Sequence, residues 1–318
     1  MRISLITPAA VRARNGNRNT AVRWAGLLRE LGHRVALEQR WSGVHADLMI
    51  ALHARRSHDS ISRYADTWPT RPLIVALTGT DVYRDIHSDA DARLSLELAT
   101  RLIVLQDMAP KELSRALQIK TRVIYQSARE IARPPPLASC FEVIVSGHLR
   151  AEKDPFRAAA ALRYLPSRSR IRVTHVGRAM TPEMAAKARA WMNREPRYRW
   201  MGEVAHGKAL RLLARGRLMV ISSLMEGGAN VVSEALANGV PVVASRISGN
   251  VGMLGARYAG YYPACNERAL ARVLSRAERD SAFYRLIARA CAARARLASP
   301  ARERAALAAL VDEVTVPD

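Results

Sequence analysis

The stretch Met225–Ser245, MEGGANVVSEALANGVPVVAS, carries the residue types and spacing best suited to chemistry. Glu226 and Glu234 are separated by seven residues, one in a loop and one two turns along the helix that follows. Gly227 and Gly228 let backbone N–H groups come close to a ligand. The helix start at Ala229 and Asn230 offers unpaired donors and a positive dipole end to a diphosphate. Two carboxylates so placed can accept hydrogen bonds from hydroxyls at opposite ends of one long ligand, a shape that a nucleotide sugar has. The same spacing also fits a surface helix bearing two solvated glutamates.

Two further clusters can carry charge chemistry. In Ser146–Pro155, SGHLRAEKDP, the cations Arg150 and Lys153 suit the neutralisation of a departing diphosphate. Between the first strand and first helix, Arg14, Asn15, Gly16, Asn17, Arg18, Asn19 and Thr20 set side-chain donors at a helix N-terminus, a loop suited to a small anion. His53, Arg55 and Arg56 add cation near the same edge. A helix cap with solvated arginines explains the loop equally well. Asp89 and Asp91 form a D-x-D triplet without sheet context, so metal binding is not expected there.

Alternating elements must position these residues. Apolar runs at 2–7, 35–37, 47–52, 73–77, 102–105 and 123–125 read as strands, with helical periodicity at 20–31 and 94–100. After Pro134, Pro135 and Pro136, which can continue neither helix nor central strand, the alternation restarts. Strands are expected at 142–146, 171–176, 218–222 and 241–245, helices at 155–165, 210–214 and 231–238, and only helices from Glu267 to about Val311. The expected fold is α/β, with two doubly wound, Rossmann-like domains whose ligands sit outside the carboxyl ends of the strands, in a cleft. The expected boundaries are 1–135, 136–280 and a helical segment 281–318 that caps the second domain and can cross back to the first.

Composition narrows the classes. The 318 residues include 50 Lys and Arg against 28 acidic residues, a net charge of +22. Only Lys111, Lys120, Lys153, Lys187 and Lys208 are lysines. The arginines are scattered rather than gathered into a tract, so small anionic substrates are expected in preference to nucleic acid. Cys140, Cys265 and Cys291 lie far apart and suggest neither a disulfide framework nor a zinc site. No apolar stretch approaches the ~18 residues of a membrane span, and Arg12, Arg14 and Arg18 follow the first apolar run in the wrong order for a signal peptide. A cytoplasmic protein without a membrane partner is the expectation.

The 225–245 segment resembles the donor-binding signature of GT-B glycosyltransferases with paired glutamates, in which the first glutamate meets the donor hexose and the second the nucleotide ribose. Glu226 and Glu234 stand at those positions. Gly147, Leu149 and Lys153 are similar to the family's diphosphate loop, with His148 at its usual arginine position and Arg150 two residues on. Val173–Gly177 resembles the strand and glycine below the base, and Trp200–Val204 the segment that reads it, making Val204 the base contact. LTGTD at 77–81 resembles the family loop near the donor sugar, with Thr78 where many members carry histidine and Asp81 close by.

The resemblance is most specific in NGNRNTAVRWAGLLRELGHRV, DLMIALHARRS, LTGTDVYRD, GHLRAEKDPFR, EGGANVVSEA and SGNVGMLG. Together these look like the selenosugar synthase branch of selenoneine biosynthesis. The resemblance implies UDP-N-acetylglucosamine as donor, selenophosphate as acceptor, no metal or other cofactor, no nucleic acid, and a functional link to other enzymes of that pathway. An already anionic nucleophile needs cations more than a strong base, which fits Thr78 in place of histidine. Two rival readings remain at this point. One is an ordinary GT-B enzyme with a lipid, glycan or small-molecule acceptor. The other is a non-enzymatic nucleic-acid-binding protein, which would show steep salt dependence.

Overall fold

The computed structural model describes residues 1–13 and 15–315. Its strands form two wholly parallel six-stranded sheets. The first contains β1 (Arg2–Ile6), β2 (Arg34–Glu38), β3 (Leu48–Leu52), β4 (Leu73–Ala76), β5 (Arg101–Val104) and β6 (Thr121–Val123), in the order β2-β1-β3-β4-β5-β6. The second contains β7 (Phe141–Ser146), β8 (Ile171–Val176), β9 (Tyr198–Trp200), β10 (Leu218–Ile221), β11 (Val242–Ser245) and β12 (Tyr261–Tyr262), in the order β12-β11-β10-β7-β8-β9. Strands β3, β4, β10 and β11 are buried at every position. Parallel strands covered by helices on both faces require such unbroken apolar runs.

The winding of each sheet reverses once. In the first, β1 lies between β2 and β3; in the second, β7 lies between β8 and β10. Crevices for ligands open at such reversals, beyond the carboxyl ends of the two diverging strands. The loops after β1 and β3, and those after β7 and β10, are therefore the places where this topology can build sites.

The chain forms two compact units. The first holds residues Met1–Gln126, Glu226–Ala229 and Pro300–Asp318; the second holds Ser127–Met225 and Asn230–Ser299. This division differs from the expected one at the prolines, and hydrogen bonds explain the difference. Ala128 N donates to Ala298 O (3.1 Å), Ile131 N to Asn238 Oδ1 (3.0 Å), and Arg133 Nε to Ala214 O (2.9 Å), tying the extended segment before β7 to the second unit. The helix Pro300–Thr315 buries Leu307, Leu310 and Val311 in the core of the first unit beside Trp24 and Leu28. Its Glu303 is 1% exposed and accepts from Trp24 Nε1 (2.7 Å) and Arg23 Nε (2.8 Å).

The structure adds elements the periodicity did not show. Strands β9 and β12 are three and two residues long, too short for an alternation to register. Asp81–Asp85 forms a wide turn of π-helix between β4 and the helix Ala90–Leu98. Asp89 of the D-x-D triplet is a helix cap accepting from Ala92 N at 2.8 Å. Among the described residues, no group of three or more His, Cys, Asp or Glu side chains is arranged to hold a metal ion, and no helix is long and apolar enough to cross a membrane.

Candidate functional site

In the second unit the chain leaves β7 at Gly147. Its N–H donates to Val176 O (2.9 Å), and its carbonyl accepts from His175 Nε2 (3.2 Å). Tyr198 OH in turn donates to His175 Nδ1 at 2.9 Å. Full burial pushes His175 down to about 4, so the ring is neutral and its one proton sits on Nε2, facing Gly147.

Gly177, at the end of β8, adopts φ +153°, and a Cβ there would lie 1.9 Å from Gly147 O. Its N–H donates to Gly202 O (2.8 Å), beyond β9. The loops after three adjacent strands are thus bonded edge to edge. Gly147 differs from Gly177: it lacks a left-handed φ, and nothing lies within 4 Å of where its Cβ would point.

The loop after β7 continues through residues at graded exposure. His148 is half-buried and its Nδ1 accepts from Arg178 N at 3.1 Å. Arg150 is exposed, and its guanidinium makes no hydrogen bond or ion pair among the described residues. Lys153 is half-buried at the end of a single tight turn, Ala151–Lys153. Ser222 Oγ, beyond β10, donates to the carbonyls of Lys153 (3.1 Å) and Asp154 (2.9 Å), and Leu224 N donates to Glu152 O (2.9 Å). The two sides of the winding reversal are therefore joined, and the pair Arg150 and Lys153 stands on a braced loop.

Glu234 sits on the helix Asn230–Ala237 and takes a hydrogen bond from His206 Nε2 at 2.8 Å. That bond raises His206 above its ordinary range, against the opposing effect of burial. His206 opens the helix His206–Arg215, directly after the loop holding the half-buried Val204. Ala229 is buried and Asn230 half-buried.

The four residues Glu226–Ala229 group with the first unit. A Cβ on Gly227 would lie 2.5 Å from the carbonyl carbon and oxygen of Thr78, and one on Gly228 would lie 2.4 Å from Leu105 Cβ. The expected reason for these glycines was approach to a ligand; the structure shows that the chain's own backbone and Leu105 already require them. Glu226 is buried, at 7% exposure.

Elsewhere in the first unit the expectations need two corrections. Asp81, expected to contact an acceptor, is wholly buried and accepts from the N–H groups of Thr78 (2.9 Å), Gly79 (2.7 Å), Val82 (3.1 Å) and Ala54 (3.2 Å). Its carboxylate shapes the loop, in which Thr78, Gly79 and Thr80 are half-buried, so that of Thr78 and Asp81 only Thr78 is reachable. His53, expected to add positive charge, is buried with φ +74°; burial lowers its pKa despite the neighbouring Asp81 and Asp85. Its Nδ1 accepts from Arg56 N (3.4 Å) and its Nε2 meets Thr80 Oγ1 (3.0 Å), as a neutral ring would. Arg55 is offset by Asp85 at 3.1 Å.

In the loop after β1, Asn15 caps the helix Gly16–Glu30 by accepting from Arg18 N at 3.0 Å. Asn15 and Gly16 are exposed, Asn17 and Arg18 half-buried, and no carboxylate pairs with Arg18 among the described residues. Arg14 lies outside the described residues.

A family model of the glycosyl transferases group 1 matches residues 137–298, just over half of the chain. The chain belongs to this family. No curated protein sequence matches it. Solved structures share the fold of this glycosyltransferase at low identity. HepE of Anabaena, solved with UDP and glucose, is 18% identical with a TM-score of 0.77, covering 98% of this chain and 100% of its own. Sucrose-phosphate synthase of Thermosynechococcus elongatus is 17% identical at 0.76, covering 98% of each chain. TarM of S. aureus, solved as a point mutant with fondaparinux, alpha-GlcNAc-glycerol and UDP, is 14% identical at 0.62, covering 83% of this chain and 55% of its own. The fold of this glycosyltransferase is accordingly GT-B. The matched segment spans Gly147, Arg150, Lys153, Gly177, Val204, Glu226 and Glu234.

Sequence reasoning did not single out two residues that the geometry brings forward. His206 lies before the helix expected at 210–214, and His175 reads as one residue of a buried strand. Neither has a spacing signal, because the partners Glu234 and Tyr198 lie 28 and 23 residues away.

Proposed function

We propose that this glycosyltransferase takes N-acetylglucosamine from UDP-N-acetylglucosamine and transfers it to selenophosphate. Selenium forms the new bond at C1 as the bond from C1 to the UDP oxygen breaks. Gly147 carries the donor half of the reading. It is the one glycine of the braced loops that neither its own backbone nor its neighbours require, so its bare face is left for a ligand. Three residues on stands Arg150, whose guanidinium is unspent on protein carboxylates. A diphosphate approaching Gly147 would meet Arg150 and Lys153 together, and charge developing on departing UDP would be neutralised there without need of a metal.

In this reading Glu234 accepts from the ribose hydroxyls, displacing His206, while Glu226 orients the hexose and Val204 lies against the base. Solved structures of the same fold bind UDP with glucose or with alpha-GlcNAc-glycerol, which supports a uridine nucleotide sugar as donor. The acceptor half rests on the resemblance of the first-unit motifs. Asn15, Gly16, Asn17 and Arg18 present donors and an uncompensated cation to a small anion, with Thr78 offering a hydroxyl and no imidazole base.

The test is UDP release from UDP-N-acetylglucosamine with selenophosphate, thiophosphate, phosphate or no acceptor. Release stimulated by selenophosphate and lost in Arg150→Ala supports the proposal. Release that ignores all three anions but responds to a glycan or lipid acceptor overturns the acceptor assignment, and absence of UDP binding overturns the donor site.

A further inference from the structure

The helix Glu267–Arg279 in the second unit carries Arg268, Arg272, Arg276 and Arg279 on one face, at successive spacings of four, four and three residues. They line a cavity of about 630 Å³ with Tyr164 and Ser275. A cavity of that size falls within the range of small-molecule sites.

The charges there are poorly compensated. Arg276 pairs with Asp280 at 3.3 Å, but no carboxylate pairs with Arg268, Arg272 or Arg279 among the described residues. The helix's own acids are engaged elsewhere: Glu267 binds Arg157, and Glu278 accepts from Ser169 Oγ and Arg170 N. Like charges at i and i+4 destabilise a helix, and Arg268 stands in the first turn, where the dipole disfavours a cation. Arg276 and Arg279 in the last turn could serve the helix alone; Arg268 and Arg272 cannot. Tyr164, 40% exposed, lies 5.1 Å from the Arg268 guanidinium and gives the cavity a ring face.

We propose that this cavity binds a small molecule bearing two or more phosphate groups, at a site of its own on the helix Glu267–Arg279. Successive arginines four residues apart stand about 6 Å apart along the helix, within reach of their long side chains, so neighbouring guanidiniums can converge on linked phosphate groups. The depression is open to solvent, and the ring face of Tyr164 beside Arg268 favours a compact ligand over an extended polyanion. This inference stands apart from the proposed reaction, since none of its residues belongs to the donor or acceptor loops.

The test is a titration of tripolyphosphate at fixed ionic strength into the full chain carrying Arg150→Gln and Lys153→Gln, which removes anion binding at the donor loop. Adding Arg268→Gln, Arg272→Gln and Arg279→Gln should weaken binding at least tenfold. An equal loss of charge at the exposed Arg285, Arg289 and Arg302 should change it less than twofold. Thermal unfolding of the first triple variant should occur at or above the parent temperature, because like-charge repulsion is relieved. If that variant misfolds, Arg272→Gln alone should still weaken binding about threefold. Equal loss in both triple variants would overturn the proposal. So would stronger arginine-dependent binding of a single-stranded oligonucleotide or of phosphatidylglycerol vesicles.

Discussion

Gly177→Ala is the substitution whose effect the structure fixes most fully. The new Cβ would sit 1.9 Å from Gly147 O, 2.4 Å from Gly147 C and 2.9 Å from His148 N, where ordinary contacts begin near 3.4 Å. All three are backbone atoms, so no side chain can swing aside, and the loops after β7 and β8 must part by more than 1 Å. The residue must also hold φ +153°, a region that costs an L side chain roughly 1–3 kcal/mol. Parting the loops strains the Gly177–Gly202 and His175–Gly147 hydrogen bonds, each worth about 1 kcal/mol. The combined loss is about 3–5 kcal/mol, which for a unit of this size lowers the unfolding temperature by on the order of 10 °C. Gly202→Ala, with φ +68° and open space around its Cβ, is the matched control and should cost about 1 kcal/mol. Differential scanning calorimetry of both variants checks the ordering. Equal, small shifts would refute the reasoning, because they would mean that the two loops are not in contact.

Other perturbations separate binding from scaffold. Gly147→Ala should leave the unfolding temperature unchanged and weaken UDP at least tenfold by calorimetric titration, since its Cβ meets open space. His175 is held neutral at about 4 against 6.5 when unfolded, so the stability it contributes is full above pH 6.5 and lost as pH falls toward 4. The loss amounts to about 3 kcal/mol at pH 4, and His175→Gln should flatten that acid limb in urea unfolding. His206, raised by Glu234, stabilises at pH below 6.5 and loses that effect as pH rises through its folded value. UDP affinity should therefore increase as pH rises and Glu234 is released, and His206→Ala should reduce the slope to the part set by ionisation of UDP itself. Glu303→Ala leaves Trp24 Nε1 buried without its partner and should destabilise the first unit by about 2–3 kcal/mol, read by thermal unfolding.

The sheets were legible because parallel strands buried on both faces must be unbroken apolar runs, as LMIAL at 48–52 and LMVI at 218–221 are. Edge strands escape that logic: YRW at 198–200 and YY at 261–262 need only one neighbour and carry no period. The loop after β7 stood out as a candidate through its residue types, with glycine, arginine and lysine in one short segment, and the structure adds that Ser222 braces it. Asp81 and Glu303 were not, because a buried acid that answers backbone or tryptophan N–H groups is written with the same letter as a solvated one. The two glycines at 227 and 228 show the converse difficulty, for close approach to Thr78 and close approach to a ligand demand the same residue.

The central claim is tested most directly by the mass spectrum of the product formed from UDP-N-acetylglucosamine and fresh selenophosphate. An ion with the selenium isotope pattern attached to N-acetylglucosamine is expected, in equal yield with UDP and absent for Arg150→Ala. Formation of UDP with only selenium-free sugar in the spectrum would contradict it.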